Sequence, residues 1–299
     1  SVYDRAGALL ASRSTGEDLT FELGLGAAGN YYVRIDSPQV WSTVSDTYRL
    51  TADFSAGGQS AFESENNDSR VRADKAAFGS TIQGQLSGSS DEDYFQYTTG
   101  TAGVLSLAFD SPTDSRFTDH FRVSVYDRAG ALLASRSTGE DLTFELGLAT
   151  AGDYYVRVDS PQVWSAVSDT YGLTADFSAG GQSAFESENN DSFERADVST
   201  LDVEVKGQLS SINDSDYFKY TVSSAGVFEV AFDGPTDSQF VDYFRIALFD
   251  ANGDLLVSRV TGSDVSLQAA LSGPGDIYVR VDNDGWYGDP GQYSLSASV

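Results

Sequence analysis

The run SVYDRAGALLASRSTGEDLTFELGL occupies residues 1–25 and recurs letter for letter at residues 124–148. A diverged third copy, ALFDANGDLLVSRVTG, opens at Ala247, so the openings at 1, 124 and 247 set a period of 123 residues. Solenoid repeats run at roughly 20–50 residues, so this period means a tandem array of whole domains. Inside the second copy, FRVSVYD puts Phe121, Val123 and Val125 on one face and Arg122, Ser124 and Tyr126 on the other. DYYVRVD does the same with Tyr154, Val156 and Val158 against Tyr155 and Arg157. Period two with β-branched and aromatic residues marks half-buried strands. DRAG at Asp127 and DANG at Asp250 supply turn chemistry between two such runs. No helical periodicity is sustained anywhere. About eight strands per repeat, with regularly spaced turns, predict an all-β chain of tandem antiparallel β-sandwich modules.

The small, polar stretch SAGGQS at Ser55–Ser60 and Ser178–Ser183 follows the strand TADF and precedes FESENNDS in both places. It reads as the linker. Full modules are then expected over 59–177 and 182–299, and residues 1–54 correspond to the C-terminal half of a module. Half a sandwich leaves strand edges and an apolar face uncovered. The missing strands either lie upstream in a longer natural chain or come from another chain, and the second route leads to head-to-tail self-assembly. With neither a starting methionine nor a signal peptide, the chain reads as an excised segment.

The chain has 299 residues, 45 of them acidic and 18 basic, for a formal charge of −27. Nucleic acid and anionic membrane surfaces would be repelled, so neither is an expected partner. No apolar run approaches the ~18 residues of a membrane helix, so no membrane insertion is expected. Cysteine is absent, which removes disulfides and thiolate metal sites and leaves calcium as a means of stapling. The single histidine, His120, aligns with Tyr243 in the next copy, and neither HExxH nor a phosphate-cradling glycine loop is present. An enzyme is not expected. Trp41, Trp164 and Trp286 follow the YYVR or IYVR strand in each copy, where a tryptophan stacks on a sugar, grips a fibrous protein or packs over a sandwich edge.

Donor chemistry concentrates in one motif. ESENND places Glu63, Glu65, Asn67 and Asp68 within six residues, and Glu186, Glu188, Asn190 and Asp191 repeat them. Downstream, DEDYF supplies Asp91 and Asp93, and DSDYF supplies Asp214 and Asp216. Carboxylates and an amide in such number are the hard oxygen donors that calcium takes. Alternate residues of an extended segment point one way, so Glu63, Glu65 and Asn67 can converge. The other reading is a solvated acidic segment with an asparagine turn. The surroundings of DxDYF diverge between copies (GSSDEDYFQY against SINDSDYFKY) while both aspartates remain. Weaker candidates are Asp114 and Asp119, their counterparts Asp237 and Asp242, and the loop aspartates Asp282, Asp284 and Asp289. Each of these also suits a turn. Sequons at Asn67, Asn190 and Asn213 compete with the ligand reading, because a glycan would disable a ligand asparagine.

The order ESENNDS, an alanine at Ala73 or Ala196, GQLS, DxDYF, a turn-bearing strand pair, AGDYYVRV and YGLTADF resembles the bacterial pre-peptidase C-terminal domain. The resemblance spans both full modules, and residues 1–54 match its second half. It implies β-sandwich or jelly-roll modules appended to secreted peptidases and surface proteins, related to the collagen-binding domains of clostridial collagenases. Carried across by motif, it implies calcium ligands at Glu63, Glu65, Asn67, Asp68 and Asp91 or Asp93. In the next module they would be Glu186, Glu188, Asn190, Asp191 and Asp214 or Asp216. The expected function is a calcium-binding structural segment of a large extracellular bacterial surface protein, such as an adhesin stalk or filament. Its partners would be its own neighbouring modules, with an extracellular protein or polysaccharide as a further possibility. The alternative is a substrate-targeting appendage of a secreted hydrolase.

Overall fold

The computed structural model describes residues 1–37, 47–57, 61–115, 118–162, 169–188, 190–235, 243–284 and 291–299. Trp41, Trp164, Trp286, Gln59, Asp237, Asp242 and Asp289 lie outside these described residues. Residues 1–37 contain three short strands, β1 (Val2–Tyr3), β2 (Leu9–Ala11) and β3 (Tyr32–Val33), in the order β2-β1-β3.

The first complete copy has nine strands: β4 (Asp74–Lys75), β5 (Thr81–Gly84), β6 (Glu92–Thr99), β7 (Gly103–Asp110), β8 (Phe121–Tyr126), β9 (Leu132–Thr138), β10 (Leu142–Leu148), β11 (Gly152–Asp159) and β12 (Tyr171–Ala179). They form a five-stranded sheet, β4-β6-β11-β8-β9, and a four-stranded sheet, β10-β7-β12-β5. The next copy repeats the pattern with β13 (Asp197–Val198), β14 (Val205–Gly207), β15 (Ser215–Val222), β16 (Gly226–Asp233), β17 (Phe244–Phe249), β18 (Leu255–Thr261), β19 (Val265–Leu271), β20 (Gly275–Asn283) and β21 (Tyr293–Ser298). Its sheets are β13-β15-β20-β17-β18 and β14-β21-β16-β19. The chain is thus nearly all β, in two-sheet sandwiches.

Alternation decides the faces. Phe121, Val123 and Val125 of β8 and Tyr154, Val156 and Val158 of β11 are buried against Leu105, Leu107 and Phe109 of β7 and Leu173 of β12. Each large apolar side chain removed from water contributes about 1.5–3 kcal/mol. Aromatic rings at one end of this core, Phe109, Phe121 and Tyr171, pack with centroids 5.1–6.0 Å apart. The β8–β9 hairpin turns at DRAG. Asp127 Oδ1 accepts the amides of Gly130 and Ala131 at 2.7 and 2.8 Å, and Gly130 adopts φ 93, which favours glycine.

Three features add detail to the sequence expectation. The sheets are antiparallel except that β4 pairs with β6, and β13 with β15, in parallel over two residues each. The SAGGQS stretch takes a defined conformation at its second occurrence. β12 runs through Ala179, Gly180 and Gly181 turn with φ 78, and Gln182–Ala184 form one turn of 3-10 helix. Finally, residues 20–25 are identical to residues 143–148 of β10 yet form only a bridge, Gly24 to Ser64. In the complete copy that stretch pairs with β7, and the described part of residues 1–54 contains no equivalent of β7.

Candidate metal centre

The ESENND segment is anchored before it meets any ligand. The Glu63 amide donates to the Gln83 carbonyl at 2.8 Å, which ties the segment to β5. Asn66 turns the chain at φ 76, a left-handed conformation that asparagine tolerates. The Asn67 carbonyl then accepts the amide of Tyr94 at 3.3 Å, which ties the segment to β6. Asp74, on β4, fixes the turn from outside. Its carboxylate accepts the Ser64 amide at 2.6 Å, the Ser64 hydroxyl, and the Asn67 Nδ2 group at 3.4 Å. Asp197 does the same for Ser187 and Asn190. Neither aspartate was among the sequence candidates. The signal was present, because Arg72-Ala73-Asp74 and Arg195-Ala196-Asp197 survive inside stretches that otherwise diverge, RVRADKA and FERADVS.

This scaffold brings Glu63, Glu65 and Asp93 together, one carboxylate oxygen from each lying within 4.8 Å of the others. Glu186, Glu188 and Asp216 form the matching group. Of the two downstream aspartates, Asp93 joins the inner group; it lies within β6, on the inward row of Phe95 and Tyr97. Asp91 lies one step before the strand, accepts the Ser87 amide at 2.5 Å, and stands beside the exposed Asp68. Asp214 and Asp191 repeat that outer pair. Asn67 and Asn190 are fully buried, which takes the sequon reading away from both.

The second layer is as specific. The Tyr171 hydroxyl donates to Asp93 Oδ2 at 2.6 Å, and the Gln85 amide donates to Glu63 Oε1 at 2.6 Å. Tyr171 reaches Asp93 across Gly84, the glycine of GQLS. A Cβ at Gly84 would lie 2.3 Å from the phenol and 2.8 Å from Glu63 Oε2. Tyr293, Asp216 and Gly207 reproduce this packing.

Several oxygens nonetheless have no hydrogen-bond partner: Glu65 Oε1, Asn67 Oδ1 and Asp93 Oδ1, and in the next copy Asn190 Oδ1 and Asp216 Oδ1. Each such buried group costs roughly 1–3 kcal/mol when left without a partner, and more when charged. Burial, reinforced by neighbouring carboxylates, pushes Glu63 and Asp93 well above the ordinary carboxylate range, and pushes Glu65 up to about 9. Glu186 and Asp216 are raised for the same reasons. A bound cation reverses that logic by favouring the ionised form of every ligand. The donor set is oxygen only, rich in carboxylate and fixed by a second layer, and it fits a hard cation.

Of the other candidates, Asp282 lies on β20 rather than in a loop and is occupied by ion pairs to Arg245 and Arg280, both at 2.8 Å, and Asp284 pairs with Arg245 at 3.5 Å. Asp114 and Asp119 are exposed and join no ligand group among the described residues.

No protein-family model and no curated protein matches the sequence. Solved structures are similar. The tandem CBM51 modules of a family 98 glycoside hydrolase from Streptococcus pneumoniae match at 10% identity and a TM-score of 0.24, covering 73% of this chain and 83% of that one. Two CBM51 domains with the M60 catalytic domain of Clostridium perfringens ZmpB match at 9% identity and a TM-score of 0.25, covering 74% of this chain and 34% of that one. The chain is similar to the pre-peptidase C-terminal domain of a collagenase from Bacillus anthracis, at 20% identity and a TM-score of 0.29, over 34% of this chain and 94% of that domain.

Proposed function

We propose that each complete module binds one calcium ion through Glu63, Glu65, Asn67 and Asp93, or Glu186, Glu188, Asn190 and Asp216, with Asp68 and Asp91, or Asp191 and Asp214, closing the outer side. The array then serves as a spacer of an extracellular bacterial surface protein. The observation behind this reading is the buried oxygens without partners in a cluster of raised carboxylates, met twice in one chain. A hydrated solvent-facing segment has no need to bury Asp93 and Asn67 completely. Calcium suits the site better than magnesium, because amide and carboxylate oxygens on a bent segment form a larger and more adaptable shell than an octahedron needs. Extracellular modules commonly bind calcium at about 10⁻⁴–10⁻³ M. Repeated sandwiches in series, with a stretch of 25 residues copied letter for letter, an acidic composition and no cysteine, suit a repeated spacer outside the cell. Isothermal titration of the whole chain with calcium tests the reading. Two ions per chain are expected, and no heat at millimolar calcium would refute it.

A further inference from the structure

Each candidate cation site has one wall that belongs to the module before it. At the second site, Glu186, Glu188 and Gln208 line a small cavity together with Leu133 and Gly147 of the preceding sandwich. Arg136 of β9 crosses the junction and is only 6% exposed. Its guanidinium lies over the Phe144 ring of its own module and donates from Nη2 to Gln208 Oε1, 2.5 Å away in the next. The backbone amide of that same Gln208 donates to Glu186 Oε1 at 2.5 Å. Two hydrogen bonds therefore connect an arginine of one sandwich to an innermost carboxylate of its neighbour. Gly147 of β10 makes the approach possible. A Cβ there would meet Phe185 Cβ at 2.8 Å, the Gln182 carbonyl at 3.2 Å and the Glu186 carbonyl at 3.3 Å.

The first site has the same construction. Leu10 and Gly24 line a cavity with Glu63, Glu65 and Gln85, and the Arg13 side chain is 5% exposed and close enough to Glu63 to feel its charge. A Cβ at Gly24 would lie 2.4 Å from the Glu63 carbonyl. One period further on, the equivalents are Arg259 and Ala270, which carries the Cβ that both glycines lack.

We infer that the β9–β10 face of a module is the seat for the FESE segment of the module that follows, and that seating and cation binding are one linked equilibrium. Glycine at position 24 or 147 admits a following module in this pose, and alanine at 270 refuses it. Because Glu186 belongs to the segment pressed against Gly147, any displacement of the seat displaces a ligand. By linkage, an ion that tightens the ligand segment tightens the joint by the same factor. The inference rests on the calcium reading above, and the test separates the two.

The parent protein is the full chain with the first site disabled by Glu65→Gln and Asp93→Asn, so that calcium calorimetry reports the second site alone. Gly147→Ala installs the residue that the next sandwich already carries at Ala270, so the strand itself tolerates it. Expected results are an affinity for calcium weakened by about tenfold, the equivalent of a modest overpacking cost, and faster chymotryptic cleavage after Phe185. Arg136→Gln, which is not itself a proposed ligand, is expected to weaken calcium binding severalfold and to leave the melting of its own sandwich unchanged. If Gly147→Ala misfolds by near-ultraviolet circular dichroism, Arg136→Gln decides. Calcium affinity and cleavage rate unchanged in a folded variant would overturn the linkage and leave the calcium reading standing. Absence of calcium heat in the parent would overturn both.

Discussion

Replacing Glu65 with glutamine should change stability in opposite directions depending on the ion. Burial and the charges of Asp91 and Asp93 raise the Glu65 carboxyl from 4.5 to about 9. At about pH 7.5 the calcium-free folded site therefore holds it protonated, while the unfolded chain ionises it. Three pH units at about 1.36 kcal/mol each make this a cost of about 4 kcal/mol, and partial exposure of Glu65 screens it to about 2 kcal/mol. Glutamine keeps the shape, has no charge to lose, and offers amide hydrogens to the adjacent carboxylates. In chelator the first sandwich of Glu65→Gln should therefore melt above wild type. At about 4 °C per kcal/mol for a domain of this size, the gain is roughly 8 °C. In calcium at about 100 times its dissociation constant, wild type gains about 2.7 kcal/mol and the variant, short of one charged ligand, gains far less. The order of melting then reverses. Differential scanning calorimetry of both proteins, with chelator and with calcium, reads the four values, and the second sandwich is the internal control. If Glu65→Gln melts at or below wild type in chelator, the carboxylates are not crowded as described. If the order fails to reverse in calcium, Glu65 is not a ligand.

Three further outcomes follow from the same site. A raised folded-state pKa contributes stability below the unfolded value and loses it as pH rises, so chelated protein should become progressively less stable between about pH 4.5 and about pH 9, the limits set for Glu65. Calcium should flatten that slope, and thermal melts across the range with and without the ion check both. Asp74→Ala removes three hydrogen bonds from the ligand turn and should cost about 1–3 kcal/mol in urea denaturation together with about 10- to 100-fold in calcium affinity. Tyr171→Phe preserves the core ring and deletes only the hydroxyl on Asp93, so calorimetry should show calcium affinity lowered by about tenfold at the first site and unchanged at the second.

Much of this was readable from residue order. The alternation of Phe121, Val123 and Val125 gave the buried face of β8, and DRAG gave the hairpin that follows it. The same alternation puts Asp93 on the inward row of Phe95 and Tyr97, but Asp91 shares that parity, and only the start of β6 at Glu92 separates the two. What stayed illegible depends on contacts between distant parts of the chain. Asp74 looks like any surface acid until the parallel pairing of β4 with β6 sets it over Ser64 and Asn67. Gly84 looks like a turn glycine until Tyr171 lies across it. The strand propensity of residues 20–25 is identical to that of β10, yet the structure differs, because a strand is defined by the neighbour it pairs with. The junction was least visible, since Arg136 and Gly147 acquire their roles only against the following module.

The hydroxyls of Tyr171 and Tyr293 join the aromatic stacks of the two cores to Asp93 and Asp216. Each phenol is thus an unlabelled optical probe wired to its own carboxylate. When charge arrives beside that oxygen, the ring's electronic transition moves, and ultraviolet difference absorption records it without dye, tag or crystal. Substituting phenylalanine at one tyrosine and then at the other would resolve which bead of the array has loaded.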